Sequence, residues 1–265
     1  MANIHDLLSK LWHDYAALNP QARKIHKLLE ARGENVVNDH IALRTFDDPR
    51  VNVDTLARPF TELGYVAKDT YDFPEKKLNA RHYEHADDGM PKVFISELRL
   101  GGFSASLRSV VSDLLGQMPA DLSKRWDFPV AGRPWVVSYA EYESLRSQSE
   151  YAAWMAAFGF RANHFTVLVN ALKKFDSLQA LNAFLKEHGF KLNASGGEIK
   201  GSPDVFLEQS ATLADEADVD FTDGVHRIPA CYYEFARRYP LPDGTLFQGF
   251  VAKSADKIFE STNKR

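Results

Sequence analysis

The apolar residues near the start of the chain follow a helical spacing, and the pattern then becomes β-rich. Charged residues separate the apolar positions of the first predicted helix, which are Ile4, Leu7, Leu8, Leu11 and Trp12. A second helix begins at Pro20 and ends at Gly33. The elements predicted next are a strand over 36–46, a helix over 53–63 and β-rich runs at 65–66, 81–84 and 93–100. Two helices therefore precede one β-α-β-β-β module.

The spacing is helical again from Ser104 to about Phe158, which we interpret as an insertion between two modules. The elements predicted after it are a strand from Phe160 to Asn170, a helix over 177–187, β-rich runs at 205–207, 219–221, 228–238 and 245–251, and a short helix from Ser254. A Pro-Asp-Gly turn at 242–244 joins the last two runs and predicts a hairpin. The predicted fold class is α+β: paired β-α-β-β-β modules form a β-sheet cavity, with regions 1–103, 104–158 and 159–265.

Two similar stretches indicate an internal duplication. The segments 38–46 (NDHIALRTF) and 163–170 (NHFTVLVN) each place a histidine early in a β-rich run. Each run leads to an amphipathic helix that ends at a glycine followed by an aromatic residue. Because side chains alternate along a strand, His40 and Arg44 point to the same face. The duplication predicts that His40 and His164 occupy equivalent positions.

Composition and charge limit the class of protein. The chain has 265 residues, 45% of them hydrophobic, which is ordinary for a globular protein. A formal net charge of -4 gives no basic surplus, so charge does not suggest a nucleic-acid partner. Cys231 is the single cysteine, which excludes an intrachain disulfide and fits a reducing compartment. Since no apolar run resembles a signal peptide or could span a bilayer, we expect a cytoplasmic protein with no membrane partner.

Four side chains on predicted strands are candidate metal ligands: His40, His164, Glu97 and Glu234. A carboxylate within an apolar strand must be paired, exposed or bound to a metal, because burying it alone is costly. Glu97 is close in sequence to Arg99 and could pair with it or with Arg81, and Glu234 could pair with Arg237 or Arg238. Two histidines and one carboxylate with open positions form the ligand set that holds Fe(II) in non-haem oxygenases. The glycines at 196, 197 and 201 predict a mobile loop that could cover such a site.

These stretches together resemble the 2-oxoadipate dioxygenase/decarboxylase family, a branch of the vicinal oxygen chelate superfamily related to hydroxymandelate synthase. The resemblance is carried by the segments 38–46, 94–98, 163–166, 232–236 and 254–259. It implies Fe(II) as cofactor, held by His40, His164 and Glu234, and Arg44 as a substrate-binding arginine. It also implies that 2-oxoadipate and dioxygen give 2-hydroxyglutarate and carbon dioxide, a late step of lysine catabolism. Arg44, on the same face as His40, suits the distal carboxylate of a diacid.

The sequence leaves alternatives open for both the substrate and the reaction class. Lys253 stands where longer family members carry an apolar residue before Ser-Ala, a position associated with substrate choice. We expect Lys253 and Ser254 to contact substrate, with Lys253 binding an acidic group; the alternative is that Lys253 points to solvent. A glyoxalase-like isomerase or lyase would use the same fold, with Glu97 as a fourth ligand and Zn²⁺ or Ni²⁺ in place of iron. A small-molecule-binding module without turnover is a third possibility. The sequence leaves the oligomeric state open.

Overall fold

The computed structural model describes residues 3–259, apart from the side chains at 255, 256 and 259. Its helices are α1 (Ile4–Leu18), α2 (Pro20–Ala31), α3 (Val53–Thr61), α4 (Ala105–Gly116), α5 (Tyr139–Arg146), α6 (Glu150–Phe158), α7 (Leu178–Glu187) and α8 (Ala252–Phe259). Its strands are β1 (Asn38–Phe46), β2 (Tyr65–Phe73), β3 (Leu78–His85), β4 (Lys92–Leu98), β5 (Ala162–Leu168), β6 (Lys200–Ser202), β7 (Leu207–Ala211), β8 (Glu216–Phe221), β9 (Gly224–Pro229) and β10 (Tyr232–Arg238).

The sheet topology confirms the duplicated α+β fold. Eight strands form one sheet in the order β2-β3-β4-β1-β5-β10-β7-β6. Within each half the first strand pairs in parallel with the last, β1 with β4 and β5 with β10. The two halves meet where β1 and β5 pair antiparallel. The order of one half mirrors that of the other, as expected for two β-α-β-β-β modules side by side.

The N-terminal helices pack behind the strands of the second module. Leu7, Leu11 and Tyr15 of α1 are fully buried. Tyr15 donates its hydroxyl to the carbonyl of Tyr232 (2.6 Å), and Asn19 donates its side-chain amide to the Tyr15 oxygen (2.8 Å). Asn19 is the N-cap residue of α2, but its side chain makes no capping hydrogen bond there and contacts Tyr15 instead. The helices therefore hold the back of β10, whose other face carries Glu234.

The helical insertion closes one end of the sheet. Every residue of α6 from Tyr151 to Phe158 is buried, so this helix is apolar on all sides. The Tyr151 hydroxyl donates to the Ser96 carbonyl (2.7 Å) and accepts from the Thr45 amide (3.0 Å). Trp154 donates to the Ala230 carbonyl (2.6 Å). These contacts tie α6 to both modules beside Arg44.

Two predicted β-rich runs differ from the structure. Residues 228–238 are divided between β9 and β10, and β9 pairs with β8 in a separate two-stranded sheet. The predicted strand over 245–251 is not a strand: the turn forms, with the Gly244 amide on the Leu241 carbonyl (2.8 Å), but only Leu246 bridges back to Pro240. The Arg238 side chain donates hydrogen bonds to the carbonyls of Phe247 and Gly249, so these carbonyls cannot pair with a neighbouring strand.

Among the described residues, no helix is both long enough and apolar enough to cross a bilayer. The cytoplasmic location expected from the sequence stays a prediction.

Candidate metal centre

Three buried side chains from three strands meet at the junction of the two modules. His40 lies on β1, His164 on β5 and Glu234 on β10, and their ligand atoms all lie within 4.8 Å of one another. His164 Nε2 is 3.2 Å from Glu234 Oε2, and His40 Nε2 is 3.6 Å from Glu234 Oε1. The two imidazole rings are nearly perpendicular, with centroids 5.5 Å apart. The structure therefore brings together the three residues that were expected to bind iron.

Neighbouring side chains orient these three groups. His40 donates Nδ1–H to Asp39 Oδ1 (2.7 Å), and the Asp39 carboxylate is itself held by Arg238 (2.6 and 2.8 Å). Asn163 Oδ1 lies 3.2 Å from His164 Nδ1 in the corresponding place. In each histidine the Nδ1 atom is thereby engaged, which leaves Nε2 to face the centre, as metal-binding histidines require.

Hydrogen bonds offset the burial of the Glu234 carboxylate only in part. Gln209 donates to its Oε1 atom (2.6 Å), whereas Oε2 has no hydrogen-bond partner among the described residues. Burial raises the pKa of Glu234 to about 8. Burial likewise lowers the pKa of His40, and burial together with the nearby His40 and Arg44 lowers the pKa of His164 well below its usual range. A divalent cation would offset these costs, because it is bound by neutral imidazoles and an ionised carboxylate.

Arg44 lies further along β1, at the edge of a cleft. Its side chain is 3% exposed, and its guanidinium lies 5.0 Å from the ring centroids of both Tyr151 and Trp154. The Arg44 Nε atom has no hydrogen-bond acceptor among the described residues. The cleft has a volume of about 300 Å³ and is also lined by Gln148 and Glu150. A buried guanidinium without a carboxylate bound to it is suited to an anionic ligand.

Tyr232 links Arg44 to the three clustered side chains. Its ring stacks on His164 with centroids 4.6 Å apart. Burial raises the pKa of the Tyr232 hydroxyl, and the neighbouring Arg44 opposes this rise. The sequence patterns did not single out Tyr232 as part of the site, because an aromatic residue in a β-rich run is most simply a core residue.

Glu97 does not belong to this cluster, so it does not supply the fourth ligand that the glyoxalase-like alternative requires. Its register neighbour on β1 is Thr45, which alternates with Arg44 and points away from the cluster. The Glu97 carboxylate accepts a hydrogen bond from the Val53 amide (2.9 Å) at the start of α3. The predicted ion pairs do not form either: Arg81 pairs with Asp54 and Arg99 with Asp72. Glu97 therefore stabilises a helix N-terminus.

The cavity beside the cluster is small and has an apolar wall. Phe94, Phe250 and Ile258 line it together with Gln209 and the three clustered residues, and its volume is about 10 Å³. Phe250 and Ile258 come from the C-terminal segment. The sequence had suggested that the glycine loop around 196–201 could cover the site. Gly196 instead lies against Lys257 of α8.

Lys253 and Ser254 do not line this cavity. Lys253 is exposed, and Ser254 is buried beside Gly201. Their expected contacts with substrate stay predictions.

Comparison with known proteins identifies the family. The chain matches the family described as 2-oxoadipate dioxygenase/decarboxylase over residues 2–121 and 132–245. The chloroplastic 2-oxoadipate dioxygenase/decarboxylase of Arabidopsis thaliana is 35% identical, and the match covers 94% of this chain and 74% of that protein.

Two solved structures share the fold over nearly the whole chain. Hydroxyglutarate synthase from Oryza sativa, crystallised with 2-oxoadipate, has a TM-score of 0.90 at 33% identity and covers 97% of this chain and 91% of its own. A Shewanella frigidimarina protein, whose description suggests a hydrolase, has a TM-score of 0.91 at 50% identity and covers 95% and 99%. The family match spans most of the chain, and the named relative and the rice enzyme agree with it. This chain therefore belongs to the 2-oxoadipate dioxygenase/decarboxylase family.

Proposed function

We propose that this protein is an Fe(II)-dependent dioxygenase and decarboxylase that acts on a 2-oxo diacid, with 2-oxoadipate as the leading substrate. The reaction consumes one 2-oxoadipate and one dioxygen and releases one 2-hydroxyglutarate and one carbon dioxide. The observation that carries this proposal is the buried cluster of His40, His164 and Glu234 in a chain of this family.

The residues present fit a metal ion with open positions. The donor set is two imidazoles and one carboxylate, and Glu234 Oε2 is a buried oxygen without a hydrogen bond among the described residues. This set is typical of non-haem iron oxygenases. When bound, iron would supply open coordination positions at which the 2-oxo acid and dioxygen can react. Asp39 and Asn163 fix the two histidine rings, and Gln209 fixes the carboxylate.

Arg44 is proposed to bind the distal carboxylate of the substrate. It points to the same side of β1 as His40 and has no bound carboxylate among the described residues, although Glu150 lies near enough for its charge to be felt. A diacid that reaches from the metal to Arg44 would lie along β1, beside Tyr232. Arg44 would then orient the chain and select diacids over monoacids.

The apolar wall serves the chemistry by excluding water. Phe94, Phe250 and Ile258 are each less than a tenth exposed and face the cluster. Closing an oxidation site in this way limits side reactions of reactive species with solvent.

The glyoxalase-like alternative lacks its fourth ligand here. Glu97 is turned away from the cluster, and no other carboxylate, histidine or cysteine of the described residues joins the three. A three-residue set leaves more positions open than a four-residue set, which favours the dioxygenase. A binding module without turnover is less favoured because all three ligands and Arg44 are present.

The direct test is dioxygen uptake. The protein is loaded with Fe(II) under anaerobic conditions and then mixed with 2-oxoadipate in the presence of dioxygen. We expect uptake coupled to equal release of carbon dioxide and formation of 2-hydroxyglutarate. The variant His164→Ala should lose it, and His13→Ala, which changes an exposed histidine of α1, should keep it. Iron-loaded protein that consumes no dioxygen with any short 2-oxo acid would contradict the proposal and favour the alternatives.

A further inference from the structure

The cavity at the metal centre cannot admit a substrate unless part of its wall moves. A volume of about 10 Å³ is no more than the space needed by one water. Of the apolar wall residues, Phe94 lies on β4, which is hydrogen-bonded on both sides in the sheet. Phe250 and Ile258 lie on the C-terminal segment, which joins no strand of the sheet. Movement of this segment is therefore the less costly way to open the site.

The segment is held over His40 from two directions. The Phe250 ring meets the His40 ring edge-on, with centroids 4.8 Å apart. The Phe250 amide donates to the Tyr71 hydroxyl (3.1 Å), which is 2.9 Å from His82 Nδ1. On the other side Arg238 donates to the carbonyls of Phe247 (2.9 Å) and Gly249 (2.8 Å). Closure of the segment thus depends on two separate sets of hydrogen bonds.

Only one of the two sets also reaches a proposed metal ligand. The Nε and Nη2 atoms of Arg238 bind the two oxygens of Asp39, whose Oδ1 accepts the hydrogen of His40 Nδ1. Arg238 is 2% exposed and Asp39 4%, so solvent does not replace these contacts. A planar guanidinium can serve four acceptors in fixed directions, which a lysine ammonium cannot. The Tyr71 hydroxyl contacts His82 and the Phe250 amide, and among the described residues it makes no hydrogen bond to Asp39.

We propose that Arg238 is a positioning residue that couples closure of the segment 247–250 over the site to the orientation of His40. When the segment is closed, its two carbonyls fix the guanidinium, the guanidinium fixes Asp39, and Asp39 fixes the ring of His40. Metal binding, which requires that ring orientation, favours the closed segment in return, since coupling between two sites is reciprocal. This inference rests on the proposed metal site.

Limited proteolysis with and without Co²⁺ measures the coupling without any turnover. Phe250 is buried, so chymotrypsin can cut after it only when the segment leaves the site, and the rate of cutting there reports the open fraction. For the unmodified protein we expect Co²⁺ to slow these cuts at least about 5-fold. Fragment masses identify the cut, and the visible absorption of bound Co²⁺ reports saturation.

The variants separate coupling from simple loosening. Tyr71→Phe should speed the cuts both with and without Co²⁺ and keep the protection factor, because it leaves Arg238 and Asp39 in place. Arg238→Lys, saturated with Co²⁺, should reduce the protection factor to near 1. Asp39→Asn weakens the contacts that Asp39 makes with Arg238 and His40. It should also reduce the protection factor to near 1, and it replaces Arg238→Lys as the test if that variant does not fold.

Each outcome either supports or overturns the proposed coupling through Arg238. A protection factor that survives in a folded Arg238→Lys or Asp39→Asn protein, or that is lost in Tyr71→Phe as well, overturns the inference. Wild-type protein that binds Co²⁺ without any protection also overturns it, while the proposed metal site stands. Wild-type protein that binds no Co²⁺, with His164→Ala as reference, refutes the metal site itself.

Discussion

Glu234 and Phe94 occupy equivalent positions in the two modules. Glu234 pairs with Thr166, two residues after His164, and Phe94 pairs with Ala42, two residues after His40. The duplicated fold thus offers a fourth inward position at the centre, and this chain fills it with an apolar ring. The ring removes one ligand and forms part of the wall that excludes water.

The variant Phe94→Glu tests this relationship. A glutamate at this position would add a second carboxylate and a fourth ligand to the centre and occupy a coordination position, so we expect metal to bind while dioxygen uptake with 2-oxoadipate falls by at least about tenfold. Metal content and oxygen uptake are measured on the same sample, and Phe94→Leu is the control for the lost ring. Full activity in a metal-loaded Phe94→Glu protein would show that the position does not control access.

Arg44 should select diacids. In Arg44→Met we expect kcat/KM for 2-oxoadipate to fall by about 100-fold or more, because a charge-assisted contact is lost and the distal carboxylate has no partner. The unbranched monoacid 2-oxohexanoate, which has no distal carboxylate, should change much less. Steady-state oxygen uptake with both substrates gives the comparison. Equal losses on the two acids would argue that Arg44 supports the fold and does not bind substrate.

Without metal, the contribution of Glu234 to the stability of the protein should decrease with rising pH, whereas the lowered pKa values of His40 and His164 act in the opposite direction. Burial raises its folded-state pKa from 4.5 to about 8, so the stabilising contribution is complete below the unfolded pKa and is lost as pH rises through the folded pKa. The window therefore runs from about pH 4.5 to about pH 8, and the loss amounts to a few kcal/mol. Urea unfolding of chelator-treated protein at several pH values measures it.

The control for that titration is Glu234→Gln, which keeps the shape of the side chain and cannot ionise. The difference in free energy of unfolding between the wild type and this variant should decrease across the same window. A difference that does not vary with pH would contradict a raised pKa at Glu234.

Glu97 should affect stability and leave the metal unchanged. Its carboxylate accepts from the Val53 amide at the start of α3, so Glu97→Ala should lower the free energy of unfolding by about 0.5–2 kcal/mol. Metal stoichiometry and the KM for 2-oxoadipate should match the wild type. Loss of metal in a folded Glu97→Ala protein would return Glu97 to the list of ligands.

The patterns along the chain predicted the two modules and the equivalent positions of His40 and His164 because the duplicated histidine strands share a simple period. They left both Glu97 and Glu234 as candidates, and only the family resemblance selected Glu234. They did not predict the register between β1 and β4, which places Phe94 at the centre and turns Glu97 outward. The run at 245–251 has strand composition, but Arg238 binds two of its carbonyls, and no local pattern reveals such a distant contact. Asp39 precedes His40 and Asn163 precedes His164 in the sequence. These equivalent positions could have indicated which side chains orient the two imidazole rings.

The clustered side chains also divide unequally between the halves of the molecule. The first module contributes His40, while the second contributes His164 and Glu234, and β1 meets β5 between them. Neither half expressed by itself would contain a complete ligand set. A bound ion would act as a cross-link between two halves of one chain and add to the backbone hydrogen bonds of that pair of strands. Removing the ion should therefore weaken this boundary first, and amide exchange at β1 and β5 would report it.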